Sequence, residues 1–321
     1  MLSYFQDPVR KRAEQVGWCL CAYIVLRYLV FFLEPYVRKI YVQLIESDAE
    51  QQEILYQQLQ NQADYSGISS IVAVVLGVVL LQILFCQSVP PKSVFQSERS
   101  MTLKNFAFVF CLFFGTQMLY SVLGNGLECI LELCGWTALG DTTTSSAEST
   151  ETISLFLYTA IIAPIGEELI YRGFVMRSFQ KNGKIYAIVM SAFLFSVMHG
   201  DFLQMIFAFL SGLVLGYVAT EYSIIWSMLL HVCNNLLYGE VLSYALSGFS
   251  ATVQDYVYRY INIFFFAVGA FWLLRKKDAA KAYLEVNKTS KHTYFATFTA
   301  IGILLFILWY IYTAITSLSR L

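Results

Sequence analysis

The sequence predicts an all-α protein: a polytopic transmembrane helix bundle of about nine spans, with an active-site cavity inside the membrane. Three observations carry this. Of 321 residues, 58% are hydrophobic and only 13% charged, against a level near 25% charged in ordinary globular domains. The mean hydropathy is +0.59, and apolar runs of about 18 residues or more recur along the chain, each long enough to cross a bilayer. The polar residues of greatest interest, from Glu167 to Asn235, fall inside such runs. A charge at that depth is costly and by default marks a functional site.

Residues 18–33 form the first span, because no small-residue cleavage pattern follows as it would in a signal peptide. Residues 45–66 are rich in Gln and Glu, with apolar positions at Ile54, Leu55 and Leu59, and predict a short helix on the outer surface. The second and third spans are 67–86 and 103–123. A polar linker, Asp141 to Thr150, separates them from the remainder. Spans at 153–171, 185–199, 202–220 and 223–238 follow. The fifth and seventh are short for a crossing, which leaves an eight-span arrangement open. Spans at 258–274 and 294–312 close the chain around a basic loop, residues 276–293, suited to lipid headgroups rather than nucleic acid. The chain thus divides into an N-terminal region (1–150), a catalytic core (151–240) and a C-terminal two-helix region (241–321).

Basic residues orient the bundle. With a cytoplasmic N-terminus, sixteen of the 21 Lys and Arg residues fall on the inner side, Arg172 among them just past the fourth span. Only Arg38, Lys39, Arg259 and Arg320 fall outside, and Arg27 lies within the first span. This is a strong positive-inside bias. The outer loops are acidic, with Glu46, Asp48, Glu50 and Glu53 in one and Glu128, Glu132, Asp141, Glu148 and Glu151 in the next. Seven cysteines show no metal-ligand spacing and read as small hydrophobes. Cys129 and Cys134 lie near the outer face without further support for a disulfide.

The chemistry concentrates in Glu167-Glu168-Leu-Ile-Tyr-Arg172 and two of the three histidines, His199 and His231. Adjacent glutamates lie about 100° apart around a helix, so they serve different faces. Arg172, one turn after Glu168, can hold it as a carboxylate. Glu167 is then free to face a cavity as a general base. His231 and Asn235, four apart, present an imidazole and a carboxamide on one face, two donors suited to an oxyanion. Phe195 has that spacing to His199 and reads as packing, while His199 is the titratable candidate. A purely structural Glu168–Arg172 ion pair would leave Glu167, His199 and His231 unexplained.

Glu167-Glu168-x-x-x-Arg172, Phe195-x-x-x-His199 and His231-x-x-x-Asn235 resemble, in order and spacing, the motifs of the CAAX-processing and bacteriocin-processing (CPBP, or Abi) intramembrane glutamic endopeptidases. The resemblance covers roughly residues 153–238. It implies that Glu167 is the catalytic glutamate, which activates a water together with His199. It further implies that His231 and Asn235 stabilise the oxyanion, and that Glu168 and Arg172 support the first motif. The implied activity is peptide-bond hydrolysis without metal or cofactor, in a bacterial cell membrane. The implied partners are the bilayer and a peptide or lipidated-protein substrate, or a membrane sensor or secreted peptide. Two other readings compete. A zinc enzyme would use His199, His231 and a glutamate, although there is no HExxH motif and no place for Arg172 or Asn235. A non-enzymatic scaffold, acting in immunity or on a sensor kinase, would keep only the fold. A transporter is a minor fourth, because the halves are unrelated in sequence.

Overall fold

The computed structural model describes residues 7–60, 64–139 and 152–321. The Asp141–Thr150 linker lies outside the described residues. The chain is a helix bundle. In order, α1 is Pro8–Ile45, α2 Ala49–Gln60, α3 Asp64–Phe85 and α4 Leu103–Leu133. Next come α5, Ile153–Asn182, α6, Lys184–Val197, and α7, Phe202–Glu221. A continuous helix over 224–246, α8, joins Ile224–Cys233, Asn234–Val241 and Leu242–Leu246. Then follow α9 Ala251–Arg275, α10 Lys277–Val286, α11 Lys291–Phe298 and α12 Ile301–Thr316. The strands among the described residues are a two-residue antiparallel pair, β1 (Trp136–Thr137) with β2 (Ser319–Arg320).

Among the described residues, six helices are long and apolar enough to cross a membrane: α1, α3, α4, α5, α7 and α9. The α11–α12 pair, bent by 68°, makes a seventh if taken as one span. The sequence suggests about nine spans, and three of these segments take another form. The fifth, 185–199, yields only the 14 residues of α6, about 21 Å at 1.5 Å per residue and short of a hydrocarbon layer near 30 Å. The seventh becomes α8, whose Asn234, Asn235 and Glu240 interrupt its apolar run. The ninth is a helix that stops and restarts. Thr299 closes α11, its hydroxyl donating to the Phe295 carbonyl at 2.8 Å. Glu14 of α1 then accepts the first amides of α12, Ile301 N–H at 2.8 Å and Gly302 N–H at 3.0 Å. These N–H groups have no partner within their own helix. Close packing fixes the junction: a Cβ on Gly302 would lie 2.7 Å from Trp18 N and 2.9 Å from Gly17 C.

One buried core joins α1, α3, α5, α6, α7 and α12, and a second lies among α4, α7, α8 and α9. Large apolar side chains such as Val25, Phe32, Val79, Ile83, Phe264 and Leu308 point outward. In a membrane protein these meet lipid, where exposure carries no hydrophobic penalty. Polar contacts gather helix ends at one pole. Glu221 accepts from Lys184 at 3.1 Å and from the Tyr283 hydroxyl at 2.8 Å, and pairs with Arg99 at 3.3 Å. Arg177 donates to the Gln96 carbonyl at 2.8 Å and the Ala219 carbonyl at 3.2 Å. His292 faces Asp7 at 3.5 Å. Burial opposes the charge on Lys184, but hydrogen bonds to Glu98 and Glu221 outweigh it and raise its pKa. The ends of α5 and α7 both reach this pole, and α6 starts from it at Lys184. Arg172, counted with the inner loop by sequence, is instead fully buried, because α5 continues as far as Asn182.

Candidate active site

The site forms where the middle of α5 meets α8 and the end of α6. Glu168 and Arg172 are both fully buried, with Arg172 Nη1 3.0 Å from Glu168 Oε1. His231 Nδ1 lies 3.1 Å from the same oxygen, and the Ser227 hydroxyl donates to the other. An ionised carboxylate only accepts, so His231 holds its proton on Nδ1. Arg172 also donates to the Gly212 carbonyl at 3.3 Å, and its guanidinium lies over the Phe195 ring, 4.3 Å from the centroid.

Glu167 occupies the next face of α5. Its side chain keeps 20% of its surface accessible while that of Glu168 keeps none. Its Oε2 is 3.8 Å from His231 Nε2, so the His231 imidazole stands between the two glutamates. His199 follows the last turn of α6, and its Nδ1 donates to the Phe195 carbonyl at 2.9 Å, one of the carbonyls a helix C-terminus leaves free. Nε2 is thereby left as an acceptor. The Phe195 ring meets both imidazoles edge-on, at 4.9 Å from His199 and 5.8 Å from His231. Gly200 next turns the chain into α7 at φ 63°, a conformation that favours glycine.

Three widened, π-type turns frame these residues: Tyr158–Ile162 and Leu169–Met176 in α5, and Asn234–Val241 in α8. Such turns recur at functional sites, and here one has a visible cause. Ala163 N–H bonds to the Tyr158 carbonyl, and Pro164, next along the chain, has no N–H to give the Thr159 carbonyl. Asn235 meets that need, donating from Nδ2 to the Thr159 carbonyl at 2.9 Å. Asn234 in turn donates to Asn235 Oδ1 at 3.1 Å, and Gln117 of α4 to Asn234 Oδ1 at 3.0 Å. An amide chain from α4 thus fixes the Asn235 carboxamide and leaves its second N–H.

The structure therefore brings Glu167, Glu168, Arg172 and His231 into one cluster. It sets His199 across the Phe195 ring and Asn235 one turn further along α8. Sequence reasoning missed Ser227 and the Thr159 carbonyl. Ser227 lies one turn before His231 in an apolar run, a spacing that points to it; a backbone carbonyl gives no such sign. Among the described residues, no three His, Cys, Asp or Glu side chains converge as metal ligands would.

No curated protein and no solved structure matches the chain. One family does: residues 149–237, the stretch that carries every candidate site residue, match the model of type II CAAX prenyl endopeptidase Rce1-like proteins, in agreement with the CPBP resemblance.

Proposed function

We propose that the chain is an intramembrane endopeptidase in which Glu167 activates a water molecule against a peptide carbonyl. The single observation that carries this is the asymmetry of the glutamate pair. Glu168 is neutralised and surrounded by donors, whereas Glu167 is partly accessible beside an imidazole. In the proposed reaction His231 serves as a donor from both ring nitrogens: Nδ1 donates to Glu168, and Nε2–H, on the side of Glu167, is available to a substrate.

In the proposed step, Glu167 takes a proton from water and the resulting hydroxide adds to the scissile carbonyl carbon. The carbonyl π pair moves to oxygen, where His231 Nε2–H and the second Asn235 N–H stabilise the charge. As the C–N bond breaks, the proton on Glu167 passes to the departing nitrogen, and Glu167 is restored as a carboxylate. His199, with Nε2 free to accept, orients the water or relays its proton. The substrate is a membrane-associated peptide or a lipidated protein. The matched family points to a C-terminal Cys-a-a-X sequence, prenylated on its cysteine.

The test uses the purified protein in vesicles with a prenylated Cys-a-a-X peptide. Wild type is expected to release the C-terminal fragment, and Glu167→Gln to lose about 10²–10⁴ in rate with unchanged thermal unfolding. Wild-type turnover in Glu167→Gln would remove the base assignment.

A further inference from the structure

Arg27 is a cation in the middle of α1 that the constellation above does not use. Arg10, Arg38 and Arg172 each have a glutamate one turn away as counter-ion: Glu14, Glu34 and Glu168. Arg27 has Tyr23 and Phe31 at those positions. Among the described residues, no carboxylate comes within 4.0 Å of it. Its guanidinium stands 5.9 Å from the centre of the Tyr23 ring, and Tyr310 lines the same cavity. An arginine within a span, surrounded by phenols rather than acids, is arranged to receive its counter-ion from elsewhere.

Two observations say where that counter-ion would come from. Arg27, Tyr28, Tyr310 and Thr313 line a cavity of about 260 Å³ together with His199, so the cation and a candidate catalytic imidazole share one space. The Tyr171 hydroxyl, fully buried on a ring 5.4 Å from that of Phe195, has no hydrogen-bond partner. A buried donor without an acceptor is expensive unless something it binds completes it.

We propose that Arg27 binds the C-terminal carboxylate of the peptide substrate and so fixes which bond reaches Glu167. This rests on the CAAX-endopeptidase reading, in which the fragment leaving after the cysteine is three residues long and ends in a free carboxylate. Three extended residues reach at most about 10 Å, so the carboxylate must be held close to the scissile bond. The cavity that Arg27 lines also takes in His199, the imidazole assigned to the attacking water. The planar guanidinium fork matches a carboxylate, and the phenol donors around it complete the anion's hydrogen bonds. A chain continuing past that point would bring an amide in place of the charge and leave Arg27 uncompensated.

Binding is measured on the full-length protein in neutral-lipid vesicles. The probes are two prenyl-cysteine peptides with a ketomethylene group in place of the scissile bond, one ending in a free acid and the other in a carboxamide. Wild type is expected to bind the acid about 10- to 100-fold more tightly, as a charge-assisted pair would give. In Arg27→Gln that preference should fall to near unity with amide binding unchanged, and Arg27→Lys should recover part of it. Equal binding of acid and amide by wild type would overturn the proposal, as would a preference that survives in Arg27→Gln. So would acid binding that anionic lipid displaces in wild type and Arg27→Gln alike. Cleavage of the ordinary peptide by the same wild-type preparation separates the two claims. No cleavage with acid-selective, Arg27-dependent binding removes the peptidase reading and keeps the carboxylate site; cleavage of acid and amide peptides with equal kcat/KM does the reverse.

Discussion

At the scale of the residue, two adjacent glutamates receive opposite environments because a helix turns about 100° between them. Glu168 meets Arg172, His231 and Ser227, and in the proposed reaction it positions His231 through Nδ1. Glu168→Gln keeps the shape but leaves Arg172 buried without its carboxylate. That is expected to cost about 3–5 kcal/mol, seen as a lower unfolding temperature and less protein in the membrane. Arg172→Ala should do the same from the other side, whereas Glu167→Gln should lose cleavage and keep its stability. Asn235 has two tasks, satisfying the Thr159 carbonyl and, in the proposed reaction, the oxyanion. Asn235→Ala should therefore slow turnover roughly 10²- to 10³-fold and cost about 1 kcal/mol of stability, with metal content unchanged. Near-stoichiometric zinc whose removal abolishes cleavage, and whose return restores it, would favour the zinc reading instead.

At the scale of the element, the breaks in the helices matter more than their lengths. Pro164 forces a widened turn in α5 and frees a carbonyl that α8 comes to satisfy. The break before Ile301 lets Glu14 cap α12 from a different helix. Both devices set the depth of one helix against another by hydrogen bonds rather than by apolar contact alone. The Gly17–Gly302 approach belongs with them, as small residues let membrane helices come close. Gly302→Ala should destabilise by about 1–3 kcal/mol, the ordinary cost of overpacking. Gly248→Ala, where nothing lies within 4 Å of the added Cβ, should be neutral or slightly stabilising. Thermal unfolding of the pair in the same detergent tests this, and equal unfolding temperatures would discount the junction.

At the scale of the whole molecule, three of the basic residues that the positive-inside bias places on one side, Arg99, Arg177 and Lys184, gather at one pole with Glu221. The prediction is that this pole is cytoplasmic. In a cysteine-free background, a cysteine at Lys281 should resist an impermeant reagent applied outside intact cells, and one at Ser145 should react. Exclusive labelling from within at Ser145 would overturn the orientation.

The sequence by itself determined the fold class, the integral membrane character and the segment that matches the CAAX endopeptidase family model. Composition and apolar run length are local quantities, and spacings of four residues on a helix follow from its pitch. It also showed that Glu168 and Arg172 can meet, since both lie on one element. It suggested about nine spans, or eight, and among the described residues six or seven helices meet the length and hydropathy of a crossing; an apolar run does not reveal where a helix breaks or how deep it lies. Only the tertiary structure decided that His231 stands between Glu167 and Glu168, that Asn235 answers the Thr159 carbonyl, and that Arg27 opens onto the cavity of His199. Each joins residues far apart in the chain, from helices whose relative rotation and depth are set by packing, capping and close glycine contacts. No pattern along one helix encodes those distances.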